Sequence, residues 1–402
     1  MIYRPVAGGV TAPKGFKAAG VAAGIKDPTR KELALIYSAV PAGAAGLFTA
    51  NRVKAAPLYV TKEHLKDGRA QAVVINSGNA NACNGSQGLK DAKAMAHEVA
   101  RLLRLSPENV LVASTGVIGQ PLPLVKIIKS LGQAVAALSE QGGRAAAEAI
   151  MTTDTRLKEA ALQFELEGKV VTVGGMAKGA GMIHPQLATM LCFLTTDAAV
   201  TVPCLQEVIH AAAASSFNLL TVDGDTSTND MLVILANGQA ENPAINKRDA
   251  AYYLFREAVL KVCTELTVAI ARDGEGATKL LEVRVINAAS REDAYLAARA
   301  VAASNLVKTA IFGQDANWGR IICAAGYSGA KFNPDRIDIF IGTEQVAQNG
   351  SMLPFSEAAA AQALAGSKVS ILIDFNEGTH EATAWGCDLT YDYIRINAGY
   401  RT

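Results

Sequence analysis

The chain has 402 residues, half of them hydrophobic, and a formal net charge of +1. That length supports a large core and two or three lobes, and that apolar share excludes a disordered chain. The near-neutral charge argues against a nucleic-acid partner. No run reaches the roughly 18 uninterrupted apolar residues of a membrane helix, and no basic-then-apolar leader opens the chain, so a cytoplasmic protein with no membrane partner is expected.

In chain order, "QAVVINSG" (71–78) and "NVLVASTG" (109–116) read as strands, β-branched runs ending in Ser, Thr and Gly. Between them, 88–105 repeats apolar residues at helical spacing, and 123–138 begins a second helix behind two prolines. "KVVTVGGMAKGAG" (169–181) reads as a strand entering a glycine turn, and "ATMLCFLTTDAAV" (188–200) as a buried strand. A helix over 202–220, a strand over 231–238 and a long helix over 246–273, with an Asn start and an Asp-Gly stop, follow. Beyond 274–276, a strand (281–289), one helix (291–312) and a strand-rich remainder (336–342, 368–375, 382–399) complete the pattern. The alternation predicts a mixed α/β or α+β chain with a boundary near the Gly-Glu-Gly turn.

The six cysteines form no CxxC pair, and several lie in apolar runs such as "MLCFL" and "RIICAAG", so they read as buried structural thiols. The five histidines have no metal-ligand spacing, and no metal or cofactor is expected. "GGMAKGAG" (174–181) pairs glycine with lysine, but a proline and a strand follow it, leaving no helix N-terminus for a phosphate.

Thr189 stands where that turn meets the strand. It is either an ordinary strand-opening residue or a nucleophile. A threonine hydroxyl needs an adjacent base, and an N-terminal threonine carries one in its own α-amine, with a pKa near 8. Cutting the Ala188–Thr189 bond would create that terminus. Ser114, Thr115 and Gly116 end a strand, where they either cap the next helix or aim donors at an oxyanion. "TVDGDTSTNDM" (221–231) has too few ligands in register for a calcium loop and reads as a hydrogen-bonded turn. Glu275, between two glycines, either faces solvent or projects into a cleft.

"KGAGMIHPQLATML" (178–191) resembles the signature of the ornithine acetyltransferase (glutamate N-acetyltransferase) family, approximately KGxGMIxPxMATML, with Leu187 in a usual methionine position. The resemblance extends along the chain through "GGVTAPKGFKAAGVAAGIK", "VINSGNANACNG", "ASTGVIG", "DGDTSTND" and "GQDANWGRI". It implies a layered αββα core like that of N-terminal-nucleophile enzymes, with a smaller C-terminal α/β lobe. It also implies self-cleavage into 1–188 and 189–402, with 189–275 completing the core and 276–402 forming the lobe whose tail returns to the site.

By the same resemblance, Thr189 is the nucleophile, Thr115 and Gly116 form the oxyanion hole, and Thr152, Lys178, Thr189, Glu275, Asn397 and Thr402 contact substrate. The implied reaction passes acetyl from N-acetylornithine to glutamate through acetyl-Thr189, in arginine biosynthesis. The resemblance leaves open whether acetyl-CoA also serves as donor, and suggests two α and two β chains. Two rivals are a related N-terminal-nucleophile amidase or aminopeptidase, which would use water as acceptor, and a non-catalytic binding protein on the same fold.

Overall fold

The computed structural model describes residues 3–184 and 190–399. A nine-stranded sheet is built around one long strand, Lys31–Phe48. The first part of this strand, Leu33–Tyr37, pairs with Arg69–Asn76. Its last part, Gly43–Phe48, pairs with Met231–Ala236. Strand Val110–Ser114 extends one wing in parallel with Arg69–Asn76. Strands Leu191–Thr196, Lys169–Lys178 and Lys158–Leu166 extend the other.

Alternation along the strands folds these wings face to face. Val73, Ile75, Leu111 and Ala113 from one wing share a buried cluster with Leu191, Phe193, Met231 and Val233 from the other. The intervening residues point outward. Ala72, Val74, Val110 and Val112 pack with Met95, Val99, Ile127 and Leu131 of helices Gly85–Leu103 and Leu124–Ala136. Cys192, Leu194, Leu232 and Ile234 pack with Val208, Val259 and Leu266 of helices Val202–Ala214 and Ala250–Arg272. The result is four layers, αββα, in which both faces of the central strands are buried, which is why those strands read as continuous apolar runs.

A second, six-stranded sheet is formed by residues 280–387, with Leu280–Ala288 between Lys368–Asp374 and His380–Cys387. Val283 and Ile371 of this sheet belong to the same hydrophobic cluster as Leu205 and Val262, so one core joins both sheets. Among the described residues, no helix is long and apolar enough to cross a membrane.

The structure corrects several expectations. The helix expected over 291–312 is two, Arg291–Ala303 and Asn305–Phe312. Ser304 takes an extended backbone and its side chain accepts from the Val307 N–H, starting the second helix. The long central helix is capped by Asp249, accepting from Tyr252 N–H, rather than starting at Asn246. The segment 382–399 is a strand and then a helix, Tyr391–Gly399. Cys83 and Cys323 are exposed rather than buried. Helix Trp318–Gly326 turns Ile321, Ala324 and Ala325 inward, and Cys323 lies off that face.

Candidate active site

Strands Arg69–Asn76 and Val110–Ser114 run parallel and end level, with Asn76 opposite Ser114. The two turns that follow are tied together by asparagine side chains. Asn76 Nδ2 donates to Asn79 O (2.9 Å), and its Oδ1 accepts from Ser114 Oγ (2.6 Å). Asn229, arriving just before strand Met231–Ala236, donates to both Ala80 O (2.6 Å) and Ser114 O (2.7 Å). Short amides serve where turn backbones need partners and no regular ladder can supply them.

This packing sets the conformation of Gly116. Its φ is +131°, and a Cβ there would overlap the backbone of Gly78 and Asn79. The Thr115 N–H is used by Asn76 O, whereas the Gly116 N–H has no acceptor among the described residues. Lys178 Nζ donates to Thr115 Oγ1 (3.3 Å), so the hydroxyl proton of Thr115 is directed elsewhere. Two donors, one hydroxyl and one amide, are therefore left for a developing negative charge. Because that Cβ forces the turn to shift, Gly116→Ala is expected to displace the amide, lowering kcat by about 10²–10³ and reducing stability as well. A full wild-type kcat would remove this amide from the site.

Lys178 ends strand Lys169–Lys178 and leads into a turn held by carboxylates. Asp154 Oδ1 accepts from Gly179 N–H (2.7 Å) and Asp223 accepts from Met182 N–H (2.6 Å) and Ile183 N–H (2.9 Å). Met182 has a positive φ of 56°, a strained setting for a side chain-bearing residue that the Asp223 bonds offset. Burial pushes the Lys178 ammonium below its usual pKa, against the opposing pull of Asp154. Asp154 is buried too, which alone would raise its pKa, but Lys178 and Lys158 hold it down to about 2.

Asp154 belongs to a buried ion cluster. Lys158 Nζ lies 2.7 Å from Asp154 and 2.6 Å from Asp273, with all three side chains 2% exposed or less. Asp273 also accepts from Thr155 N–H (3.0 Å), the Thr155 hydroxyl and Arg156 N–H (3.2 Å). It caps helix Ala250–Arg272 immediately before Gly274 and Glu275. Thr152 N–H donates to Asp154 Oδ2 (2.9 Å). The cluster thus ties together the segments that carry Thr152, Lys178 and Glu275.

Glu275 is buried. Its N–H donates to Ala180 O (2.9 Å), and its Oε2 accepts from Asn397 Nδ2 (2.8 Å) in the last helix. Gly181 faces the Glu275 carboxyl so closely that any side chain would displace it. Asp230 sits beside Met190 at the start of a parallel strand pair, where Met231 N–H donates to Met190 O (2.9 Å). Its Oδ2 is buried without a hydrogen-bond partner among the described residues, and burial raises its pKa well above the usual carboxylate range, opposed by Ser227 and Lys178.

Thr115, Gly116, Thr152, Lys178, Glu275 and Asn397 all line one cavity of about 340 Å³, together with Asp230, Ile183 and Met190. The six come from five separate stretches of chain. Ala188, Thr189 and Thr402 lie outside the described residues. Sequence reasoning assigned no role to Asp154 or Lys158 and read Asp273 only as part of a helix stop. Asp223 and Asp230 belonged to a segment read only as a hydrogen-bonded turn; the Asp223 carboxylate also braces a second turn.

A four-layer α/β fold whose cavity brings a hydroxyl and an amide donor together with a half-buried lysine and a buried carboxylate has the make-up of an enzyme site suited to acyl chemistry. The sequence model of the ArgJ family matches residues 17–402. The arginine biosynthesis bifunctional protein ArgJ of Symbiobacterium thermophilum is 56% identical over 399 residues, covering 99% of both chains. That of Caldanaerobacter subterraneus subsp. tengcongensis is 52% identical over 399 residues, covering 98% of this chain and 99% of the other. The crystal structure of the ArgJ protein of Bacillus halodurans aligns with 52% of this chain and 98% of its own at 48% identity, with a TM-score of 0.51. The chain belongs to the ArgJ family.

Proposed function

We propose that the protein is a bifunctional acetyltransferase of arginine biosynthesis, moving acetyl from N-acetylornithine to glutamate and also accepting acetyl from acetyl-CoA. The observation that carries this reading is the single cavity in which Thr115, Gly116, Thr152, Lys178, Glu275 and Asn397 meet, with Ile183 and Met190 on its wall from either side of 185–189. Relatives at 56% and 52% identity over nearly the whole chain bear the bifunctional name.

The chemistry begins with the chain itself. Thr189 Oγ attacks the Ala188 carbonyl, the C–N bond breaks in an N-to-O acyl shift, and water hydrolyses the ester. This leaves chains of 188 and 214 residues. The α-amine of Thr189 is then the base beside its own hydroxyl. In the first half-reaction Thr189 Oγ bonds to the acetyl carbon while Thr115 Oγ1 and the Gly116 N–H stabilise the oxyanion. The amide C–N bond breaks and ornithine leaves with the proton. In the second, the glutamate amine attacks acetyl-Thr189 and the hydroxyl is restored.

Lys178 serves the α-carboxylate shared by ornithine and glutamate. Glu275, held by Asn397, serves the ornithine ammonium, with Thr152 and Thr402 completing the substrate contacts. The lobes are 1–188, 189–275 and 276–402, and the active unit is a heterotetramer of two α and two β chains.

The test measures ornithine and N-acetylglutamate together. Beyond a first equivalent per active site, ornithine release should require glutamate and match N-acetylglutamate one for one. Release of free acetate and ornithine without glutamate would replace the transferase reading by that of an amidase.

A further inference from the structure

One acid in the cavity has no part in the chemistry above. Asp230 is 2% exposed and lines the cavity with Thr115 and Lys178. Among the described residues, its Oδ2 is the one buried carboxylate oxygen without a hydrogen-bond partner. Two neighbouring acids of the same cavity are committed, Asp223 to the Met182 and Ile183 N–H groups and Glu275 to Asn397. A buried polar atom left unpaired lowers stability, and native structures keep one where the group has a use.

The backbone fixes where this carboxyl stands. Asn229, one residue before it, is fastened to the oxyanion turn through Ser114 O (2.7 Å) and Ala80 O (2.6 Å). Met231, one residue after it, donates its N–H to Met190 O (2.9 Å) and pairs in parallel with Leu191. Asp230 O itself accepts from Thr49 N–H (3.1 Å). Asp230 thus lies between the oxyanion donors and the strand that follows residue 189. One peptide joins residue 189 to Met190, with about 3.8 Å between their Cα atoms. The Ala188–Thr189 bond is therefore one residue from the backbone partner of Met231. Burial raises the Asp230 pKa well above the usual carboxylate range, against the pull of Ser227 and Lys178. The group thus keeps its proton to higher pH than an exposed aspartate does.

We infer that Asp230 is the proton donor to the Thr189 nitrogen when the chain cuts itself. This rests on the self-cleavage reading above. An amide nitrogen is a poor leaving group until it gains a proton, and a positioned acid supplies one. Thr189 Oγ bonds to the Ala188 carbonyl carbon and the C–N bond breaks. The nitrogen takes the carboxyl proton, and the hydroxyl proton passes to the carboxylate so formed. The acid is regenerated, and an ester and a free α-amine remain for water to complete the cut.

The experiment follows newly made full-length chain from cell-free synthesis, by gel and intact mass, as it converts into 1–188 and 189–402. Asp230→Asn keeps the shape and removes the acid proton, and should slow the first-order cut by about 10²-fold or more. Asp230→Glu and Asp230→Gln form a second pair of equal size, in which the acid should cut about 10²-fold faster than the amide. A change of packing alone would slow both members of that pair alike. Hydroxylamine, which opens esters, should release no cut chains from Asp230→Asn, because no ester forms. A wild-type rate in Asp230→Asn, or equal rates in the second pair, overturns the role. Rapid cutting of Asp230→Asn by hydroxylamine overturns it too, because the block would then lie at ester hydrolysis. Wild type that stays one chain overturns self-cleavage and the role with it, a pattern distinct from the others.

Discussion

Thr189→Ala should yield a single uncut chain with acetyl transfer reduced by about 10⁶-fold, the scale of losing a nucleophile outright. In the proposed mechanism the substitution acts twice, because the hydroxyl would both open the Ala188–Thr189 bond and later carry the acetyl group. Intact-mass measurement separates the two roles. Wild type should give masses for 1–188 and 189–402, and the variant only that of all 402 residues. Thr189→Ser keeps a hydroxyl and an N-terminal amine, so it should still cut and retain partial activity. A wild-type preparation that stays uncut yet fully active would sink the mechanism, because an internal threonine has no α-amine to act as base. Residual activity in the alanine variant after exhaustive purification would point to another nucleophile.

The core was legible from the sequence where burial writes itself into composition. Leu191–Thr196 and Met231–Ala236 are buried on both faces, and such strands leave uninterrupted apolar runs. Less legible was what depends on side-chain partners at a distance. The break at Ser304 interrupts a helix-favouring stretch, and only the caps at Ser290 and Ser304 distinguish two helices from one. Cys323 sits among apolar neighbours in sequence but off the buried face of its helix.

The site shows the same division. Bottom-up reading left Thr189 and Thr115 with two meanings each, and resemblance to a family signature separated them. Asp154, Lys158 and Asp273 had no such help. In "TTDTRLKEA" the acid and the lysine look like a solvated polar run, and Asp273 lies 115 residues beyond Lys158. Their shared burial arises only when strand Lys158–Leu166 and helix Ala250–Arg272 pack together.

That buried cluster leads to the second large effect. Lys158→Met, placed in the uncut Thr189→Ala background so that unfolding involves one chain, is expected to cost about 3–5 kcal/mol, because it strands two buried carboxylates. Against a typical 5–15 kcal/mol this is a large share of the stability. The pH dependence gives the loss a signature. In the parent, Asp154 is held at about 2, below its value in an unfolded chain, so its contribution is complete above the unfolded pKa and is lost as pH falls toward 2. Without Lys158, burial is opposed chiefly by Lys178, and the Asp154 pKa rises. Protonation then relieves the variant at mildly acidic pH. The deficit measured by urea unfolding should therefore be largest near neutrality and shrink on acidification. Adding Asp154→Asn and Asp273→Asn to Lys158→Met removes the stranded charges and should recover part of the loss. If the chain is cut at Ala188–Thr189 as proposed, the same lysine would bridge Asp154 of one chain to Asp273 of the other, and through Asp154 brace the Gly179 turn. Lys158→Met in the Thr189-bearing protein should thus lower kcat/KM for N-acetylornithine as well as weaken the association of the two chains. A deficit independent of pH, or one as small as a surface pair's, would show that the cluster is not the brace its geometry describes.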